Sequence, residues 1–133
     1  MKPSVLVVDD DRVTRELIAN LLKHTYQDQI SLFKARDRAS AKAFCDKHTI
    51  DILITDVFMP DGNGLELVNE VTRDDDSMVT VVFSGNKDVV EHNHEINCAS
   101  YTPPTHLITK EKLVDNVLWI MEESMEKFPL DDE

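Results

Sequence analysis

Five short apolar runs punctuate the chain, beginning near Val5, Ile30, Ile52, Val79 and His106, at intervals of 25, 22, 27 and 27 residues. Each run is short and rich in β-branched residues, which predicts a strand, and each interval leaves room for one crossover helix. Between the runs the apolar period lengthens to that of a helix. From Arg12 to His24, Val13, Leu17, Ile18, Leu21 and Leu22 recur at helical spacing behind Asp11, which is placed to cap the first turn. From Asp37 to His48 the stripe is Ala39, Ala43 and Phe44 behind a capping Asp. After Gly64, the residues Leu65, Leu67, Val68 and Val71 continue the pattern up to Asp74-Asp75-Asp76, which reads as a solvated turn. The last helix carries Leu113, Val117, Ile120, Met121 and Met125 on one face and Glu122, Glu123 and Glu126 off it, with Trp119 near the stripe and expected to pack. Residues 86–98 carry a fainter helical pattern through Val89, Val90 and Ile96, and Pro103-Pro104 predicts an extended connection to the fifth strand. The alternation predicts an α/β fold with a parallel sheet and five helices.

Polar groups stand where four of these runs stop: Asp9 and Asp10 after Val8, Asp56 after Thr55, Ser84 after Phe83, and Lys110 after Thr109. In an open parallel sheet they converge on the carboxyl edge, where such folds place their chemistry. The only three glycines, Gly62, Gly64 and Gly85, fall just after Asp56 or Ser84. Three carboxylates crowded together repel one another unless a cation joins them, and magnesium is suited to one or two carboxylates, waters and phosphate oxygens. With Lys110 and a dication the pocket charge sums to about zero, leaving it able to receive a phosphoryl group. Asp56 is then the best candidate nucleophile, forming an acyl phosphate.

A formal charge of -12 argues against direct nucleic-acid binding, which depends on cationic contacts to phosphates. The N-terminal apolar stretch is too short for a signal-peptide core, and nothing reaches membrane-spanning length. Cys45 and Cys98 form no disulfide or zinc framework and read as two buried thiols of a cytoplasmic protein. His92, His94 and Cys98 offer ligand atoms but lack a fourth at finger-like spacing. His24, His48 and His106 read as surface or helix-end residues.

The segments VLVVDDD, DILITDVFMPDGNGLEL, VVFSGN and LITK, in this order and spacing, resemble the receiver domain of two-component response regulators. The resemblance implies a flavodoxin-like, doubly wound, five-stranded parallel sheet in order 2-1-3-4-5, occupying residues 1–127 and followed by an acidic tail over 128–133. It implies Asp56 as phosphoacceptor, Ser84 as switch hydroxyl and Lys110 as the phosphate-pairing lysine. It also implies Mg2+ held by Asp10, Asp56 and the backbone carbonyl of Phe58, with Asp9 acting through water. The donor would be a sensor histidine kinase or a histidine phosphotransfer protein. The readout would be a downstream protein target or an output domain outside this chain, with a homodimer left open. Such a protein is a self-modifying switch rather than a turnover enzyme.

Glu111 stands where this family usually has proline, Leu107 where it usually has an aromatic, and the Ser84-to-Lys110 interval is longer than usual around 99–105. Phe58 and Asn86 lie two places beyond the acceptor and the switch residue, and bulky Phe58 is expected to shield the phosphoryl group from water. Two competing readings are a haloacid-dehalogenase-like phosphatase using Asp9 of Asp9-Asp10-Asp11-Arg12-Val13, and a phosphorylation-independent adaptor that keeps the fold as a docking surface.

Overall fold

The computed structural model describes residues 2–73, 77–85, 106–109 and 112–126. Its strands are β1 (Ser4–Val8), β2 (Ser31–Ala35), β3 (Ile52–Asp56), the two-residue strands β4 (Phe58–Met59) and β5 (Gly62–Asn63), β6 (Val79–Ser84) and β7 (His106–Thr109). The helices are α1 (Arg12–Tyr26), α2 (Arg38–Lys47), α3 (Gly64–Val71) and α4 (Leu113–Met125), with a 3-10 turn at Gln27–Gln29. The main sheet is parallel throughout, in order β2-β1-β3-β6-β7. Its five strands follow one another in the chain as first to fifth, so this is the expected 2-1-3-4-5 order. The helix expected over 86–98, the Asp74-Asp75-Asp76 turn, the Pro103-Pro104 connection and the acidic tail lie outside the described residues.

The period of two along each strand divides the core into two layers. Val5 and Val7 of β1, Ile52 and Ile54 of β3, and Val79, Val81 and Phe83 of β6 face Ile18 and Leu22 of α1 and Val117, Ile120 and Met121 of α4. Leu6, Val8, Leu53 and Val82 face Ala41 of α2 and Leu65, Leu67 and Val68 of α3. Strands buried on both faces read as continuous apolar runs, as these do, and the helices supply the second wall of each layer. At the sheet's edge β2 is only partly buried, and Lys34 there is charged and paired with Glu16 at 3.1 Å, which discourages pairing with a further strand.

Several helical stripes shift from expectation. In α1, Val13 and Leu17 are 76% and 51% exposed, and Thr14, Ala19 and Tyr26 share the buried side with Ile18 and Leu22. The helix also continues to Tyr26, whose hydroxyl donates to the Leu118 carbonyl at 3.4 Å. In α2, Ala39 and Ala43 face solvent and Ala41 is buried, because alanine satisfies either environment and marks a face weakly. Phe44 does pack, its ring 5.6 Å from those of Phe33 and of His48, which closes the helix end. Trp119 is 58% exposed, on the flank of α4 rather than in its packed stripe.

Both predicted caps are present. Asp11 accepts from Val13 N–H at 3.3 Å and from the Thr14 hydroxyl at 2.7 Å, and Asp37 accepts from Ser40 N–H at 2.7 Å. Hydrogen bonds from Ser40, side chain and backbone, hold the Asp37 carboxyl below the usual carboxylate range. A carboxylate lowered in the folded state contributes stability that is complete above its unfolded pKa and is lost as pH falls through the folded value. Asp37→Ala is therefore expected to cost about 1 kcal/mol at neutral pH. Urea unfolding of both proteins should show that gap closing as the pH drops below about 4, and a gap unchanged in acid would contradict an ionised cap.

Candidate functional site

The chain leaves β1 toward β2 on one side and returns to β3 on the other, so the sheet's topological switch point lies between β1 and β3. Val8 pairs with Thr55 across that gap, which makes Asp9 and Asp56 the next residues at adjacent strand ends. One carboxylate oxygen from each of Asp9, Asp10 and Asp56 lies within 4.8 Å of the others. Asp9 is fully buried, Asp56 half-buried and Asp10 exposed, so the cluster forms a graded mouth opening to solvent.

Asp9 is held from three directions. Its N–H donates to the Ala35 carbonyl at 3.2 Å, its Oδ1 accepts from Asp11 N–H at 2.9 Å, and its carbonyl accepts from Arg15 Nη1 at 2.8 Å. The Asp11 side chain turns to the helix as a cap, and its N–H holds the Asp9 carboxylate.

Asp56 begins the second half of the site. Phe58 N–H donates to its Oδ1 at 3.4 Å, and Val57 N–H donates to the Phe83 carbonyl at 2.9 Å, tying the loop root to β6. The loop returns through the β4–β5 pairing of Phe58 with Asn63 and Met59 with Gly62. Asn63 then caps α3, its side-chain oxygen accepting from Leu65 and Glu66 N–H at 2.7 and 3.1 Å. At Gly64 a Cβ would run into the Asp56 carbonyl oxygen, and Gly64 N–H donates to the Val57 carbonyl at 2.7 Å. This position takes glycine because the start of α3 presses against the backbone of Asp56.

Ser84 is fully buried at the end of β6, one residue past Phe83, the register partner of Asp56. It pairs with Thr109 of β7, and Lys110 follows immediately in the sequence. Lys110 and Glu111 lie outside the described residues, as do Asn86 and the His92, His94 and Cys98 group, and for Leu107 only the backbone is described. Phe58 is 56% exposed beside the cluster. Cys45, the described cysteine, is free, and burial first, then neighbouring Asp46, pushes its thiol up to about 11, so it stays protonated at neutral pH.

The donor set fits a hard dication. It is all oxygen, mostly carboxylate, and partly withdrawn from water, which suits magnesium and gives none of the nitrogen or sulfur ligands that zinc or copper prefer. Asp9, Asp10 and Asp56 are therefore brought together as the sequence predicts, and Ser84 sits one strand away. The sequence reading missed Asn63, Asp61 and Arg38, which shape the loop. The N-G-L-E order that begins at Asn63 is a legible capping signal.

A family model described as the response regulator receiver domain matches residues 5–115. The chain belongs to the response regulator receiver domain family. The receiver domain of an HD domain-containing protein from Pseudomonas fluorescens Pf-5 has this fold, with a TM-score of 0.80 at 20% identity, covering 96% of this chain and 97% of that one. The chemotaxis response regulator CheY4 of Vibrio cholerae gives a TM-score of 0.77 at 21% identity, covering 93% and 99%. The transcriptional regulatory protein MalR of Bacillus subtilis (strain 168) is 33% identical over 85 residues, which are 61% of this chain and 34% of that protein. The chain spans about a third or less of the length of the first curated relatives it matches.

The receiver domain is thus a module of two-component signalling, a switch by family rather than a turnover catalyst, and its family generally binds Mg2+ at an acidic pocket. The haloacid-dehalogenase-like alternative is set aside by this match. Among the described residues no helix is long and apolar enough to cross a membrane.

Because Gly64 abuts the Asp56 backbone, Gly64→Ala should destabilise the fold by about 1–3 kcal/mol, although the same change in an open helix stabilises. Denaturant unfolding checks this, and a neutral or stabilising result would contradict the close approach.

Proposed function

We propose that this receiver domain accepts a phosphoryl group on Asp56 from the phosphohistidine of a sensor histidine kinase or a histidine phosphotransfer protein, in the cytoplasm, and thereby changes its protein contacts. The observation that carries this reading is the meeting of three carboxylate oxygens within 4.8 Å at the switch point. A carboxylate oxygen of Asp56 attacks phosphorus in line, the phosphorus–nitrogen bond breaks, and its electron pair leaves with the imidazole nitrogen of the donor. No water is consumed, and the product is an acyl phosphate on Asp56.

Asp10, Asp56 and the Phe58 backbone carbonyl would hold Mg2+, with Asp9 acting through water, and the ion when bound would neutralise the carboxylates and the incoming phosphoryl oxygens. Asp9, fully buried and hydrogen-bonded to Asp11, fixes the floor of the site. Ser84 would move its hydroxyl toward the new phosphoryl group, and Lys110 would pair with it. The resulting change passes to a downstream protein or to an output domain outside this chain. Phe58, exposed beside the acceptor, screens the acyl phosphate from hydrolytic water.

Treatment with a small phosphodonor such as acetyl phosphate should label Asp56 only when magnesium is present, giving an acid-stable, base-labile adduct located by peptide mapping. Asp56→Asn should abolish labelling while the circular dichroism is unchanged. Absent labelling would favour the adaptor reading instead, and labelling independent of magnesium would contradict the metal's role. Phe58→Asn should shorten the lifetime of the adduct by roughly three- to tenfold, equivalent to ~1 kcal/mol of barrier. A lengthened lifetime would contradict the shielding role.

A further inference from the structure

The loop from Val57 to Asn63 is fastened at its root by the backbone bonds already described, and at its tip by a different set of groups. The carboxylate of Asp61 accepts from Arg38 N–H at 2.9 Å and from Ala39 N–H at 3.0 Å. The first four N–H groups of a helix have no partner within it. In α2 those of Ser40 and Ala41 go to the side chain and carbonyl of Asp37, at 2.7 and 3.1 Å, and the first two go to Asp61, from a loop 22 and 23 residues away. The loop tip therefore completes the cap of α2.

Arg38 returns the connection. Its guanidinium pairs with Glu66 at 3.4 Å and more closely with Glu70, residues on successive turns of α3. On the way its side chain lies over Gly62, where a Cβ would come within 2.6 Å of Arg38 Cδ, and Gly62 has a φ of +154°, which side-chain-bearing residues rarely adopt. The arm of Arg38 thus fills the space that a side chain at position 62 would need. Exposed ion pairs contribute little as a rule. This one differs because Arg38 and Glu70 keep only 28% and 27% of their side-chain surface exposed, and because one guanidinium holds two carboxylates while a third, Asp61, is bonded to the backbone of the same residue.

We infer that Arg38 and Asp61 form a latch across the tip of the loop that follows the acceptor, and that this latch sets the divalent-cation affinity of the acidic site from the far side of the loop. The inference rests on the metal site proposed above. Phe58, whose carbonyl would be a ligand, lies on β4, and β4 pairs with β5, which carries Gly62 beneath Arg38. Releasing the tip lets β4 and β5 fluctuate together, so the carbonyl must be ordered again each time an ion binds. Arg38 and Asp61 are positioning residues, acting through the loop and not on the ion.

The test is a calorimetric titration of the whole chain with magnesium chloride, with hydrogen exchange of residues 58–63 followed in metal-free buffer. Arg38→Met and Asp61→Ala should each raise the magnesium Kd roughly three- to tenfold, where tenfold corresponds to ~1.4 kcal/mol. Both should also speed exchange in the loop before any metal is added. Glu16→Gln, which breaks the distant Lys34 pair, should change neither. If either latch variant fails to fold, Glu70→Gln, which removes one carboxylate from the guanidinium, should give a smaller shift in the same direction. Kd values within twofold of the native chain with unchanged exchange would overturn the latch. Asp56→Asn separates the two ideas. If it abolishes magnesium binding while the latch variants do not alter it, only the latch fails; if the native chain binds no magnesium, the site reading fails and the latch with it.

Discussion

Three like charges held at one sheet edge are the constraint around which this domain is built. With their oxygens within 4.8 Å of one another the carboxylates repel, most strongly where burial keeps water from screening them. That cost is borne because the two strands carrying Asp9 and Asp56 are central in the sheet, buried on both faces, and registered against each other from Val5–Ile52 to Val8–Thr55. Neither acid can withdraw without disturbing both apolar layers. A hard dication would relieve the repulsion.

The scaffold surrounding this cluster uses small local devices rather than special chemistry. Gly64 lets α3 begin against the backbone of Asp56, and Asn63 satisfies the first N–H groups of that helix. The Val57 bond to Phe83 joins the loop after Asp56 to β6, the strand that ends in Ser84. A change in charge at Asp56 therefore has a short covalent and hydrogen-bonded route to the neighbouring strand end. Such a layout suits a switch, in which a modest local rearrangement must bias a larger surface.

Much of this was legible in the sequence because the strands are continuous apolar runs that end in charged or hydroxyl residues. The five strands, the acid cluster, the Asp11 and Asp37 caps and the apolar face of α4 all follow from local pattern, whereas the strand order came from the family resemblance. The faces of α1 and α2 were less legible. Val13 and Leu17 are apolar yet exposed, and Ala41 is buried where Ala39 and Ala43 are not, since hydrophobicity alone does not say which side meets the sheet. The roles of Asp61 and Arg38 were not legible, because each depends on a contact between loop and helix that are distant in sequence. A charged residue in a polar loop carries no local mark of the N–H groups it will satisfy.

The repulsion itself can be measured without any phosphodonor. In magnesium-free buffer, urea unfolding of Asp56→Asn should show a chain more stable than the native one, since one of three crowded charges is gone, and added magnesium should stabilise the native chain far more than the variant. If neutralising Asp56 instead destabilises the metal-free fold, and magnesium acts equally on both proteins, the carboxylates are not in conflict and the account built on them is wrong.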